Sequence, residues 1–176
     1  MDREQLRTIQ QPIKEQYRSQ PEAALVTLSA EGQLDEERLA CSVAAGQALV
    51  VAGLHPATGG PGTLACSGDM LLQALVACAG VTLRSVATSL EIPVSGSVRA
   101  EGDLDFRGTL GVARDEQVPV GFRAIRLTFD LAGEATEEQL ETLIRLTERY
   151  CVVYQTLTGG VPMSVSASKP STRRSP

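Results

Sequence analysis

Two cysteines are the side chains best suited to chemistry. Cys78 lies in the run LLQALVACAGVTL and Cys151 in RLTERYCVVYQTL, both apolar stretches with helical patterning. A thiol so placed has two uses. It fills a core as a small hydrophobe, or its thiolate attacks an oxidant and a second thiol resolves the product as a disulfide. The second use needs Cα atoms within roughly 7 Å, which a separation of 73 residues leaves to the fold. With Cys41 and Cys66 the spacings are 25, 12 and 73, which include no CxxC pair and no metal knuckle. The single His55 precedes Pro56 and has no carboxylate or second histidine at ligand spacing, so it reads as a loop residue. Neither zinc nor any other metal or cofactor is expected.

Charge and composition narrow the class. The net charge is −5, and Lys169, Arg173 and Arg174 in the tail carry +3, leaving −8 for the rest. That balance argues against nucleic acid or an anionic membrane as partner. Residues 169–176 (KPSTRRSP in context) read as a disordered basic tail. A hydrophobic fraction of 43% with 3% aromatics and no Trp implies a core of Leu, Val, Ala and Ile. The opening MDREQLRTIQQ is charged from its second residue, unlike a signal peptide. No apolar run approaches the ~20 residues of a membrane helix. A cytoplasmic, reducing setting is expected, where cysteines stay as thiols.

The elements that would position the thiols follow from periodicity. Residues 3–19 read as an amphipathic helix interrupted by Pro12, with Pro21 stopping it. Three short strands are expected at Ala24–Ala30, Arg38–Ala44 and Gln47–Ala52, with turns at Glu31-Gly32 and Gly46. A Gly- and Pro-rich loop, HPATGGPGTLAC, leads to a long helix with Ser67 as N-cap and Pro93 beyond its end. That helix is apolar on nearly all sides, which predicts burial, and Gly80 at its middle suggests close approach of another backbone. Val98, Ala100, Leu104 and Phe106 alternate with charged residues, as do Ile125, Leu127, Phe129 and Leu131, so two long half-buried strands are expected. Thr136 with Gln139 forms a capping-box signature. The helix after it carries the stripe Leu140, Leu143, Ile144, Thr147 and Cys151, and Gly159-Gly160 closes it. Val161, Met163 and Val165 predict a final strand. Without regular βαβ alternation the class is α+β.

The Gly59-Gly60 loop, the run MLLQALVACAGVTLRSVA, the hairpin GSVRAEGDLDFRGTLG, and the continuations GFRAIRLTFDL and TEEQLETLIRLTERYCVVYQTLTGGVPMSVS together resemble the OsmC/Ohr family of hydroperoxide-handling proteins. The likeness covers about residues 22–168, and the N-terminal helix (1–21) suits the OsmC-like branch. It implies one OsmC-like domain over 1–168, with antiparallel sheets wrapped around two long central helices in an intertwined homodimer. It also implies a thiol peroxidase that reduces organic hydroperoxides at the dimer interface. Cys78 takes the place of the peroxidatic cysteine and Cys151 that of the resolving one. A dithiol recycles the disulfide, lipoyl groups on carrier proteins being the reductant of the Ohr branch.

Cys78 sits inside its helix, gains little from that helix's dipole, and would have its pKa raised by apolar neighbours, so a cation is expected beside it. The family uses an Arg from an early strand, held by a Glu near the start of the cysteine helix. Arg38 is the nearest match, and Arg84 a second candidate that points off the helix face. The Glu position is Gly68 here, with Asp69 one residue later, either as substitute or as a helix N-terminal carboxylate. The residue after the second cysteine, usually Pro in the family, is Val152. Leu71, Leu75 and Ala79 would line a greasy pocket beside Cys78, favouring a bulky alkyl or lipid hydroperoxide over H₂O₂. Cys41 and Cys66 are expected to be structural. Two other readings stand beside the enzyme: a non-catalytic dimer that binds an apolar small molecule, and a thiol redox sensor.

Overall fold

The computed structural model describes residues 2–25, 27, 32–34, 40–45, 48–111 and 118–167. Helix α1 (Arg3–Ser19) starts at a capping box in which Asp2 and Gln5 bond each other's backbone N–H, at 2.8 and 3.1 Å. It runs through Pro12 without the expected interruption. Proline removes one i→i−4 bond, and the cap before it and the Gln11–Glu15 bond (2.7 Å) across it support the flanking turns. No α1 side chain is buried; the exposed Arg3–Glu91 pair, at 2.7 Å, joins it to the next helix.

A short 3-10 turn occupies Pro21–Ala24, where a strand was expected to begin; most of that strand lies outside the described residues. Strands β1 (Gly32–Leu34), β2 (Ala40–Ala45) and β3 (Ala48–Gly53) form an antiparallel meander. Gly32, expected in a turn, instead pairs with Val43. The loop after β3 is tied back by a bridge between Ala52 and Ala65. Inside that loop His55 accepts the Ala57 N–H on Nδ1 at 3.0 Å and stacks on Phe106 with ring centroids 4.8 Å apart.

Helix α2 (Ser67–Leu90) is capped at Cys66, one residue before the expected Ser67. Leu75, Ala79, Leu83 and Ala87, every fourth residue, are its buried stripe, and this stripe faces α4 and β4. The all-round burial expected of α2 is not met within one chain, since Val81 is 72% exposed. Length and apolarity would also suffice for α2 to cross a bilayer, contrary to the reading from the sequence. Among the described residues of one chain, a Cβ on Gly80 would first meet Val98 Cγ2, at 3.8 Å, rather than another backbone.

Strands β4 (Val94–Leu104) and β5 (Phe122–Gly133) form an antiparallel hairpin. Val98 pairs with Phe129 and Ala100 with Leu127, so the two apolar faces coincide and pack toward α2. Phe106 does not extend that face. Asp105 accepts the Arg107 N–H at 3.1 Å, which starts the single turn α3 (Phe106–Thr109) and sends the Phe106 ring to His55. Helix α4 (Glu137–Tyr150) opens with the expected Thr136–Gln139 capping box and buries Leu143 and Thr147. Leu143 joins Leu83, Ala87, Ile92 and Val94 in one core cluster.

Two corrections concern the C-terminal part. The last helix is not continuous to Gly159: Cys151 is extended (φ −74, ψ 109), ending α4 and opening α5 (Val152–Gly159). Residues 161–167 form no strand, and Val161, Met163 and Val165 are 57%, 88% and 96% exposed. Their alternation is a strand pattern, but a strand needs a neighbouring edge, and none of the described strands pairs with it. Mixed helices and antiparallel sheets make the protein α+β, as expected.

The loop that leads into α2 depends on Gly60. A Cβ there would stand 1.7 Å from the Leu54 carbonyl oxygen, whereas one on Gly121 meets nothing within 4 Å. Gly60→Ala should therefore cost about 1–3 kcal/mol, as overpacking does. Thermal unfolding should show a clear drop for Gly60→Ala and little change for Gly121→Ala.

Candidate active site

The site forms where the buried stripe of α2 meets the α4–α5 junction. Cys151 has no exposed surface and clusters with Leu75 and Ala79; Cys78, Val153 and Tyr154 pack against them, under the apolar face of the β4–β5 hairpin. Both thiols are free, and residues separated by 73 positions are thus packed into one cluster, where each shifts the other's ionisation.

Their environments push the two thiols apart. Burial raises the Cys78 pKa, but four groups oppose it: the Val153 N–H, the Cys151 thiol, the Val152 N–H and the Thr82 side chain. Together they win, and Cys78 lies below the ordinary thiol value. Burial also raises Cys151. There the N–H groups of Tyr154 and Val153 are outweighed, because Cys78 adds an unfavourable hydrogen bond and a neighbouring negative charge. Cys151 ends above the ordinary value, so Cys78 ionises first and Cys151 keeps its proton.

Cys78 sits mid-helix in α2, as expected, and among the described residues the groups that lower its pKa are the backbone of Val153 and Val152, the Cys151 thiol and Thr82. Cys151 makes no side-chain cap bond to α5, which leaves the first N–H groups of that helix available to the thiols.

Arg38 lies outside the described residues. Arg84 donates from Nη1 to the Val94 carbonyl at 2.7 Å, which commits it to the start of β4. Asp69 is exposed in the first turn of α2, nine residues before Cys78 and so about 180° around the helix from it. A Cβ on Gly68 would meet Phe122, Leu104 and Cys66 Sγ at 3.4–3.6 Å, so the position faces apolar neighbours. Cys66 is half-buried at the head of α2, and Cys41 lies on β2 opposite Ala52. Thr82 was missed in the sequence, although its place four residues after Cys78 puts it on the same helical face. The N–H donors of Val152 and Val153 left no sequence signal, since they depend on the break at Cys151.

A cleft of about 480 Å³, lined by Leu75, Ile125, Leu127, Phe129 and Leu157, with Arg123 and Glu148 as charged members, shares Leu75 and the hairpin face with the thiol cluster, although neither cysteine lines it. Leu75 takes part, as the sequence suggested. Ala79 is instead fully buried and Leu71 is 37% exposed. A separate depression of about 580 Å³, where α1 meets the end of α2, contains neither cysteine.

The fold is that of an α+β protein with two thiols packed under an antiparallel hairpin. A model of the OsmC-like protein family matches residues 60–166, more than half of the sequence; the chain belongs to this family. Among solved structures it is similar to an OsmC-like protein from Mycoplasma pneumoniae (17% identity, TM-score 0.63, 77% of this chain and 89% of that one). It is also similar to an organic hydroperoxide resistance protein OsmC from Legionella pneumophila (19% identity, TM-score 0.59, 77% and 92%). A third is an organic hydroperoxide resistance protein from Elizabethkingia anophelis (18% identity, TM-score 0.59, 78% and 91%). No curated protein matches the chain in sequence.

The site makes a titration prediction. Iodoacetamide labelling followed peptide by peptide should give Cys78 a lower pH midpoint than Cys151. Thr82→Val, which removes one of the groups that lower the Cys78 pKa, should raise the Cys78 midpoint.

Proposed function

We propose that the protein is a cysteine-based thiol peroxidase that reduces organic hydroperoxides. The observation that carries this reading is the packing of Cys78 against Cys151 in one apolar cluster, with one thiol shifted down and the other up. Membership of a family whose solved relatives include organic hydroperoxide resistance proteins supports it.

The Cys78 thiolate attacks the terminal oxygen of ROOH, the O–O bond breaks, and the alkoxide leaves as ROH after taking a proton. Cys78 is now a sulfenic acid, oxidised by two electrons. That step also removes the negative charge beside Cys151, so the very interaction that held Cys151 protonated is gone. Its sulfur then attacks Cys78 Sγ, the S–O bond breaks, and hydroxide leaves as water with the Cys151 proton. An external dithiol, for which lipoyl groups on a carrier protein are the family precedent, exchanges with the disulfide and is itself oxidised. Arg38 is assigned as a second stabiliser of the thiolate. The cleft holds the alkyl part of the substrate, which H₂O₂ lacks.

The active unit is a homodimer in a reducing, cytoplasmic setting. The open face of α2 around Val81 and the exposed alternation Val161, Met163, Val165 are the surfaces a second copy would cover. A second reading, storage of an apolar ligand without turnover, draws on the same cleft.

One equivalent of cumene hydroperoxide should link Cys78 to Cys151 and leave Cys41 and Cys66 reduced, as read by non-reducing peptide mapping. With a dithiol present turnover should be steady, abolished in Cys78→Ser, and arrested after one oxidation in Cys151→Ser. Faster turnover of H₂O₂ than of the alkyl peroxide would sink the substrate assignment; binding of an apolar dye with no turnover would favour the second reading. Sedimentation equilibrium at micromolar concentration should give the dimer mass.

A further inference from the structure

We propose that the depression between α1 and the end of α2 is a second binding site, for a small carboxylate with an apolar body, and that Arg84 holds its charge. Neither cysteine lines this depression, so the inference goes beyond the thiol chemistry and does not depend on it.

The floor of the depression is apolar. Ala87, Ile92 and Val94 line it and belong to the core, and Pro93 and Ala132 extend it. Its volume of about 580 Å³ is that of an ordinary small-molecule site. Four charged side chains stand around it: Asp2, Arg3, Arg84 and Glu91. Three of them are engaged, since Asp2 accepts the Gln5 N–H at 2.8 Å and Arg3 pairs with Glu91 at 2.7 Å. The last carbonyls of α2 are the negative end of that helix and would repel an anion. They too are engaged: the Thr88 oxygen accepts the Glu91 N–H at 3.3 Å, and the Ala87 oxygen accepts the Ile92 N–H at 2.9 Å.

Arg84 differs from the other three. Its Nη1 donates to the Val94 carbonyl at 2.7 Å, and among the described residues no carboxylate pairs with it. The Val94 bond fixes the head of a long side chain at the edge of the apolar floor, while most of the guanidinium's five N–H donors stay unused. A carboxylate takes two such donors at once, which sets its orientation as well as its charge. A ligand of this class places its charge on Arg84 and its apolar body over Ile92 and Val94; a cationic one would meet the guanidinium head on. Arg84, which the sequence offered as a partner for the Cys78 thiolate, thus serves a site away from the thiols.

The probe is naphthylacetate, with naphthylacetamide as its neutral counterpart, titrated into the full-length protein and followed by amide NMR. Naphthylacetate should shift the signals of Ile92, Val94 and Gly133 and leave those of Leu127 and Phe129, in the cleft under the hairpin, in place. The amide should bind the parent about tenfold more weakly, the size of a lost charge-assisted pair. Arg84→Gln should weaken the carboxylate by about the same factor and leave the amide unchanged, a split that a merely structural role for Arg84 would not produce. Arg84→Lys, which keeps the charge without the fork, should recover part of the loss. Unchanged carboxylate binding in folded Arg84→Gln would overturn the proposal. Should that variant misfold, the two probes on the parent decide: equal affinities, or shifts confined to the cleft, overturn the site. Cys78→Ser should bind naphthylacetate as the parent does, whether or not the protein turns over peroxide; loss of binding there would overturn a site separate from the thiols.

Discussion

The α4–α5 junction at Cys151 is the point on which the site depends. A helix that carried straight on would spend the N–H groups of residues 152–154 on carbonyls of α4. Because Cys151 is extended, those groups are not committed to α4, and Cys151 itself has no exposed surface. The cluster of Leu75, Ala79 and Cys151 keeps the junction in place, so apolar packing decides where α5 restarts beside Cys78.

The same packing divides labour between two chemically identical groups. Both thiols are pushed up by burial and pulled down by backbone groups at the start of α5. The difference lies in their mutual effect. The first to ionise is favoured by the other's S–H and in turn opposes the other's ionisation, which is the behaviour of any closely coupled pair. Thr82 on the Cys78 side helps set which one goes first. A low-lying nucleophile and a proton-retaining partner follow from position alone.

Membership of the OsmC-like family accounts for the architecture, while low identity to solved relatives leaves room for local departures. Gly68 and Val152 are two of them. At Gly68 the surroundings are Phe122, Leu104 and Cys66, an apolar corner rather than a polar anchor. At Val152 an amide is present that a proline would not have.

Much of the fold was legible in sequence because it rests on local periodicity. The hairpin β4–β5, the Thr136–Gln139 cap and the stripe Leu143–Thr147–Cys151 each follow from spacing and side-chain type over a few residues. That Cys78 and Cys151 stand on inward-facing apolar positions was legible too, through helical face. What spacing could not supply were features fixed by distant neighbours. Phe106 left its strand because Asp105 capped a turn and His55 offered a ring to stack on. Val161–Val165 has strand patterning and no described strand beside it, since pairing requires an edge elsewhere in the molecule. The break at Cys151 carries no proline or glycine to announce it, and the pattern 140–158 reads as one helix. Sequence determined which groups face inward; only tertiary packing decided where α5 restarts, because hydrogen-bond donors are allotted by the surroundings that bury them.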